Sequence, residues 1–166
     1  MQHAMPPASG LYDPRFEHDA CGVSFVVDIK GQKSHDIVAM GIGALCSMEH
    51  RGATGAEVET GDGAGVLIQI PHRFLSEVVG FVLPAEGSYG VGVAFLPADK
   101  KLRDAAVVAV ERIIAEQNLD VLGWREVPVD PSCLGASALR VMPTFMQFFV
   151  DDPSGAKLID LDRKLF

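Results

Sequence analysis

The sequence is poor in the residues that build disulfide frameworks, zinc sites and nucleic-acid interfaces. Its 166 residues include only three cysteines, Cys21, Cys46 and Cys133, which are far apart in the chain. No CxxC pair occurs, which argues against zinc and against a disulfide framework. Basic residues are outnumbered, since 14 Lys and Arg stand against 22 Asp and Glu and give a net charge of −8. This balance argues against a protein that binds the phosphate backbone of nucleic acids.

Long apolar runs are also absent. Hydrophobic residues make up 48% of the chain, a globular composition, but no run approaches the roughly 20 residues that span a bilayer. Residues 1–20 carry Pro, Asp, Glu and His and lack the apolar region of a secretory signal. We therefore expect no membrane contact and a location in the reducing cytoplasm. The five histidines show no ligand spacing, so no metal site is expected.

Hydrophobic periodicity predicts a mixed α and β fold. Strands are predicted at residues 23–29, 66–70, 89–96, 121–129 and 144–150, and another segment begins at Lys157. Helices are predicted at residues 35–50, with Ser34 as the N-cap, from Pro71 at position N1 to Val79, and at residues 99–117. The face predicted to pack in the first helix comprises Ile37, Gly41, Ala44, Leu45 and Met48. The face predicted to pack in the last helix comprises Leu102, Ala106, Ala109, Val110 and Ile113.

One cysteine lies in a sequence that suits a nucleophile. Cys21 follows Ala20, precedes Gly22 and leads into a β-prone run. If the chain were cut between Ala20 and Cys21, the new α-amino group would titrate at roughly 7.7–8.0. Such an amine can serve as the general base for its own thiol. A lone cysteine is more often a small buried hydrophobe, and this is the interpretation for Cys46 and Cys133.

A second group of residues is rich in glycine. Arg51 ends the first predicted helix, and five glycines fall between residues 51 and 65. The arginine could simply complement the helix dipole, but this many glycines let the backbone approach a ligand closely. The run Gly61–Gly65 does not match the dinucleotide-binding pattern GxGxxG, and it precedes a predicted strand instead of opening a helix.

Together these motifs resemble the class II glutamine amidotransferases, in particular those of the glutamate synthase type. The resemblance rests on Asp19–Val23 and Glu49–Ala53, and it extends to Gly10–Pro14, Thr60–Val66 and Arg163–Leu165. It covers the chain from about residue 10 to the end. Neither short motif is specific alone, but their combination is.

The resemblance implies that residues 1–20 are a propeptide, removed at the Ala20–Cys21 bond, and that residues 21–166 begin the amidotransferase domain. Cys21 would be the catalytic nucleophile, with Gly22, Arg51 and Gly52 supporting the active site. The implied fold is the four-layer αββα sandwich of N-terminal nucleophile hydrolases, incomplete in this chain. The implied reaction is the hydrolysis of glutamine to glutamate and ammonia. The ammonia would then be transferred to 2-oxoglutarate.

The same resemblance implies partners and cofactors outside this sequence. FMN and an iron–sulfur cluster would belong to the remainder of the large subunit, and a small NADPH-oxidising subunit would be a partner. The family's oxyanion hole uses an Asn-Gly pair, whereas the only asparagine here is Asn118. We therefore expect a fragment that is inactive alone. The alternatives are a non-catalytic remnant or regulatory module with this fold, or another class II amidotransferase.

Overall fold

A computed structural model of the chain describes residue 10 and residues 22–48, 52, 57, 59–61 and 63–155. The chain divides into two compact units, residues 1–67 and residues 68–166. Within the described residues, no helix combines the length and the hydropathy that crossing a membrane requires.

Helix α1 (His35–Ser47) organises the described part of the first unit. It begins where the sequence predicts, because the Ser34 hydroxyl accepts a hydrogen bond of 3.1 Å from the backbone N–H of Asp36. It ends at Met48, whose N–H donates to the carbonyl of Leu45 at 3.0 Å. Every residue of the predicted packing face is half-buried, together with Val38. The predicted face is therefore confirmed.

Two predicted strands are wrong. Residues 23–29 and 66–70 do not form strands, and most of their side chains are exposed. The exposed fraction reaches 98% for Ile29 and 100% for Leu67. A β-prone sequence favours an extended backbone, but a strand also needs a hydrogen-bonded neighbour and a covered face. Neither segment has a covered face here, so its apolar pattern alone does not produce a strand.

The second unit is built on an antiparallel sheet of three strands: β1 (Tyr89–Leu96), β2 (Asp120–Glu126) and β3 (Thr144–Asp151). Their spatial order is β1-β3-β2, so the last strand in sequence lies in the middle. Strand β1 matches its prediction, β3 extends one residue further, and β2 ends before the predicted Val129. The predicted segment from Lys157 lies outside the described residues.

Helices cover both faces of this sheet. Helix α3 (Lys100–Glu116) packs on one face, where Ile114, Leu119 and Val150 are buried together. Helix α2 (His72–Val78) packs on the other face, where Leu75 meets two buried aromatic residues of the sheet, Tyr89 and Phe149. The coverage of this second face is incomplete, because Phe95 remains 69% exposed.

The helix predictions for this unit need three corrections. Pro71 is the N-cap of α2 and not its first residue. The packing face of α3 is rotated from the predicted one, because Leu102 and Ile113 are exposed whereas Ile114 is buried. The sequence analysis also missed a 3₁₀ turn at Pro131–Cys133 and a short helix, α4 (Ala136–Val141). These elements are too short for periodicity to reveal them.

Candidate functional site

The residue that follows the predicted nucleophile is packed against the end of α1. A Cβ atom built on Gly22 would lie 2.7 Å from Sδ of Met48 and 3.3 Å from its Cβ and Cγ. The first separation is shorter than real Cβ contacts allow, so any larger residue at position 22 would displace the methionine side chain. Glycine at position 22 thus leaves room for Met48 in its present place, whereas its backbone angles do not call for glycine, since its φ is not among the positive values.

This contact joins the residue after the predicted nucleophile to the end of the helix that leads to the second motif. Gly22 belongs to the motif around the predicted nucleophile, and Met48 directly precedes the motif that contains Arg51. Their separation in sequence is spanned by the extended segment, a turn at Asp28–Gly31 and α1. Gly31 closes that turn with φ +68°, a conformation in which glycine has no steric penalty. Helix α1 thus brings the chain back to Gly22.

The remaining predicted site residues are only partly described. Ala20, Cys21 and Arg51 lie outside the described residues. Gly52 is described and exposed. In the glycine-rich segment, the Thr60 hydroxyl donates to Oε2 of Glu57 at 2.9 Å, and the Thr60 N–H donates to the Glu57 carbonyl at 3.1 Å. The sequence analysis placed Met48 in the packing face of the first helix but did not predict its contact with Gly22, because a contact across this separation leaves no periodic signal in the sequence.

The prediction that the other two cysteines are buried hydrophobes is wrong. Cys46 and Cys133 are both free and exposed. Cys46 lies on α1 away from its half-buried face. Cys133 ends the 3₁₀ turn, which is capped by the Asp130 carboxylate accepting from the backbone N–H of Ser132 at 3.0 Å. That hydrogen bond lowers the pKa of Asp130 below its usual value.

Two further arrangements bear on metal and ligand binding. Among the residues that the structure describes, no group of three or more His, Cys, Asp or Glu side chains is placed to hold a metal ion. On the incompletely covered face of the sheet, Nη1 of Arg125 donates to Oε1 of Gln147 at 2.8 Å. The same guanidinium lies 5.8 Å from the centroid of the Phe74 ring. The sequence analysis did not single out this arginine.

Comparison with known proteins identifies the family. A family model described as "Glutamine amidotransferases class-II" matches residues 21–166, a region that starts at Cys21. The chain is 40% identical to the "Glutamate synthase [NADPH] large chain" of Bacillus subtilis over 164 residues, which cover 98% of this chain and 11% of the relative.

Two other relatives have similar names. The chain is 43% identical to a "Glutamate synthase [NADH]" of Schizosaccharomyces pombe, over 87% of this chain and 7% of the relative. It is 39% identical to the "Ferredoxin-dependent glutamate synthase 2" of a Synechocystis strain, over 90% of this chain and 10% of the relative. The chain thus spans 7–11% of the length of these relatives.

Proposed function

Since this chain belongs to the class II glutamine amidotransferases, we propose that it forms part of a glutaminase within a longer protein, in which Cys21 is the nucleophile that attacks the side-chain amide of glutamine. The observation that supports this proposal is the close contact between Gly22, which follows Cys21, and Met48, which precedes the motif of Arg51 by one residue. The start of the family match at Cys21 also supports it. The proposal requires that the bond between Ala20 and Cys21 is cut, because an amide nitrogen cannot act as a base.

The proposed reaction has two steps and needs no redox partner. The α-amino group of Cys21 takes the thiol proton, and the sulfur attacks the amide carbon of the glutamine side chain. The carbon–nitrogen bond breaks, the proton passes to the leaving nitrogen, and ammonia departs from a thioester. Water then attacks the thioester and releases glutamate and the free thiol. The balance is glutamine and water giving glutamate and ammonia.

We assign supporting roles to three other residues. We propose that Gly22, which has no side chain, lets the Met48 side chain pack against the backbone next to the nucleophile. Arg51 and Gly52 follow α1 in the chain at a distance of a few residues from Met48. We propose that Arg51 orders the loop near Cys21 or contacts the substrate, and that Gly52 lets this loop approach the nucleophile.

The arrangement of the second unit supports the four-layer sandwich as its fold. One face of the sheet is covered by α3, as the outer layer of a sandwich would cover it. The other face presents exposed apolar side chains at Val93 and Phe95 on β1, and the half-buried Arg125 lies on the opposite side of β3. A second sheet packed on this face would bury them. The proposal therefore assigns this face to the interior of the complete domain.

The names of the relatives suggest the wider reaction. We propose that ammonia from glutamine passes to 2-oxoglutarate in a synthase part of the same protein. FMN, an iron–sulfur cluster and an NADPH-oxidising subunit would belong to that part. The described residues do not fit an iron–sulfur cluster, because their cysteines and histidines form no group of ligands. No step proposed for Cys21 therefore involves one.

The deciding experiment measures glutamine hydrolysis by the protein expressed from its complete gene. Cys21→Ala should abolish ammonia release, and Cys21→Ser should retain at most a trace. Cys46→Ala and Cys133→Ala are matched controls, because they remove exposed thiols without touching the proposed site. A thiol-directed analogue of glutamine should label Cys21 in preference to both. Full activity of Cys21→Ala would refute the proposal.

Maturation is tested separately by mass spectrometry. The proposal requires that the active protein lacks residues 1–20 and starts at Cys21. An active protein with an intact Ala20–Cys21 bond would refute the role of the α-amino group. It would leave Cys21 needing another base.

A further inference from the structure

Met48 contacts Gly22 from the C-terminal end of α1. It is the C-cap of α1, and its backbone N–H bonds to the carbonyls of Leu45 and Cys46. Its side chain is half-buried on the same face of α1 as Ala44 and Leu45. A methionine side chain has no branch and a polarisable sulfur, so it can fill an irregular gap beside a backbone. Here the gap is the one that the missing side chain of Gly22 leaves.

A contact that fixes the position of Gly22 would also limit the positions open to the residue bonded to it. Neighbouring Cα atoms are about 3.8 Å apart across a trans peptide bond. Glycine can adopt more backbone angles than other residues, so a glycine that makes no contacts leaves the position of the preceding residue variable. A side chain packed against its Cα removes part of that freedom. A neighbour packed on a glycine therefore helps to hold the residue before it in one place.

We propose that Met48 is a positioning residue for the Cys21 nucleophile. Its thioether packs on Gly22 and limits the directions in which the chain reaches Cys21, and so keeps the thiol aligned with the substrate amide. Met48 touches neither the substrate nor the reacting atoms in this scheme. The inference rests on the proposed function, because it requires that Cys21 is the nucleophile. It goes beyond that function by giving a role to a residue on α1.

The position of a nucleophile has a large effect on the rate. A misplacement on the order of 1 Å can lower the rate about 10²-fold. A positioning defect lowers kcat, whereas KM for glutamine depends on groups that hold the substrate and should change little. It should also alter the pH profile of kcat, because the thiol and the α-amino group of Cys21 must keep their mutual geometry. A role confined to stability would move neither quantity.

The test is a double-mutant cycle in the protein expressed from its complete gene. Met48→Ala should lower kcat roughly tenfold or more with KM changed less than about twofold. Met48→Leu, of similar volume, should restore most of the loss. Gly22→Ala should lower kcat by a similar factor, because its Cβ displaces the Met48 sulfur. In the double variant, adding Gly22→Ala to Met48→Ala should lower kcat by a smaller factor than Gly22→Ala does alone. The new Cβ then enters space that the Met48 sulfur no longer occupies.

Matched controls separate this effect from general damage. Met40→Ala removes an exposed methionine of the same helix. Gly80→Ala adds a Cβ where nothing lies within 4 Å. Both should keep wild-type kcat. Urea unfolding of each variant shows whether a loss of activity follows a loss of stability. If Met48→Ala does not fold, Met48→Ile, which keeps the volume but branches at Cβ, carries the same comparison.

The outcomes distinguish the two proposals. If Cys21→Ala abolishes glutamine hydrolysis while Met48→Ala keeps the wild-type kcat and pH profile, the positioning role is overturned and the proposed function stands. The positioning role is also overturned if the loss of kcat parallels the loss of stability in urea and Met40→Ala shows the same loss. If Cys21→Ala remains fully active, the proposed function fails first.

Discussion

The hydroxyl of Tyr89 lies 3.0 Å from Nδ1 of His72, at hydrogen-bond distance. The two rings are 5.7 Å apart between centroids and tilted by 50°. Tyr89 begins β1 and is buried, whereas His72 begins α2 and is half-buried. The pair therefore ties the start of α2 to the sheet that it covers, with a polar contact at the edge of an apolar cluster.

This contact predicts an alkaline limit to stability. Burial raises the pKa of Tyr89 above its ordinary value of 10.0. The folded state thus holds this proton more tightly than the unfolded state, so the stability from this group is complete below pH 10.0 and is lost as the pH rises through the folded pKa. Urea unfolding curves measured from about pH 8 to about pH 11 should show this decline in the free energy of unfolding.

Tyr89→Phe is the matched variant, because it keeps the ring and removes the hydroxyl. We expect it to lower the free energy of unfolding by about 1 kcal/mol near neutral pH, the usual value of one hydrogen bond. It should also flatten the alkaline decline. If the variant and the wild type lose stability in parallel above pH 10.0, other groups cause the decline.

A second prediction concerns the centre of the sheet. Gly92 pairs directly with Phe148, which pairs in turn with Trp124. A Cβ on Gly92 would overlap the Phe148 ring. Gly92→Ala should therefore cost roughly 3 kcal/mol in unfolding free energy, as overpacking of a core does. Gly80→Ala, in open space, is the control. Equal stability of both variants would show that the ring moves aside freely.

A third prediction uses the single tryptophan. Nε1 of Trp124 donates to Oε1 of Glu111 at 2.8 Å and thereby links β2 to α3. Glu111→Ala should lower the free energy of unfolding by about 1 kcal/mol and shift the tryptophan emission. Glu111→Gln should cost less, since its amide oxygen can still accept the bond.

The control for this prediction lies on the same helix. Glu116 is exposed and forms only a 3.7 Å ion pair with Arg112. Glu116→Ala should change the stability by less than about 0.5 kcal/mol. It should leave the emission unchanged. An emission shift of the same size in this variant would contradict the assigned contact.

A fourth prediction concerns the exposed thiols. Cys46 and Cys133 should both react quickly with a thiol reagent in the folded protein, because both are exposed. Replacing either with serine should change the free energy of unfolding by less than about 0.5 kcal/mol, as surface substitutions usually do. Slow reaction of either thiol until urea unfolds the protein would contradict its exposure. The double serine variant also removes the background from any labelling of Cys21.

A fifth prediction concerns the start of α3. The Asp99 carboxylate caps this helix by accepting from the Leu102 N–H at 2.9 Å. Asp99→Ala should cost about 1 kcal/mol, as the loss of an N-cap does. Asp104 serves as the comparison, because it pairs only with Lys100 on the exposed side of the same helix. Asp104→Ala should cost less than half as much in a urea titration.

The sequence predictions were accurate for features that adjacent residues decide and inaccurate for features that depend on contacts between distant residues. The cap at Ser34 could be predicted because a cap is decided within a few residues, whereas Asp99 was predicted as the first residue of α3 and is its N-cap. The buried face of α3 was not, because Ile113 and Ile114 are equally apolar. Which of the two is buried depends on how the helix lies against β2 and β3. The strand predicted at residues 23–29 failed for the same reason, since pairing needs a neighbour.

The sequence by itself determined the family, the approximate positions of the three longer helices and two of the three sheet strands, because motifs, caps and alternating patterns are encoded in adjacent residues. Only the tertiary structure decided that Met48 packs on Gly22 and that β3 lies between β1 and β2. Contacts between residues distant in sequence depend on how the intervening chain folds back. No local pattern records that path, and so the contact between Met48 and Gly22 became visible only in three dimensions.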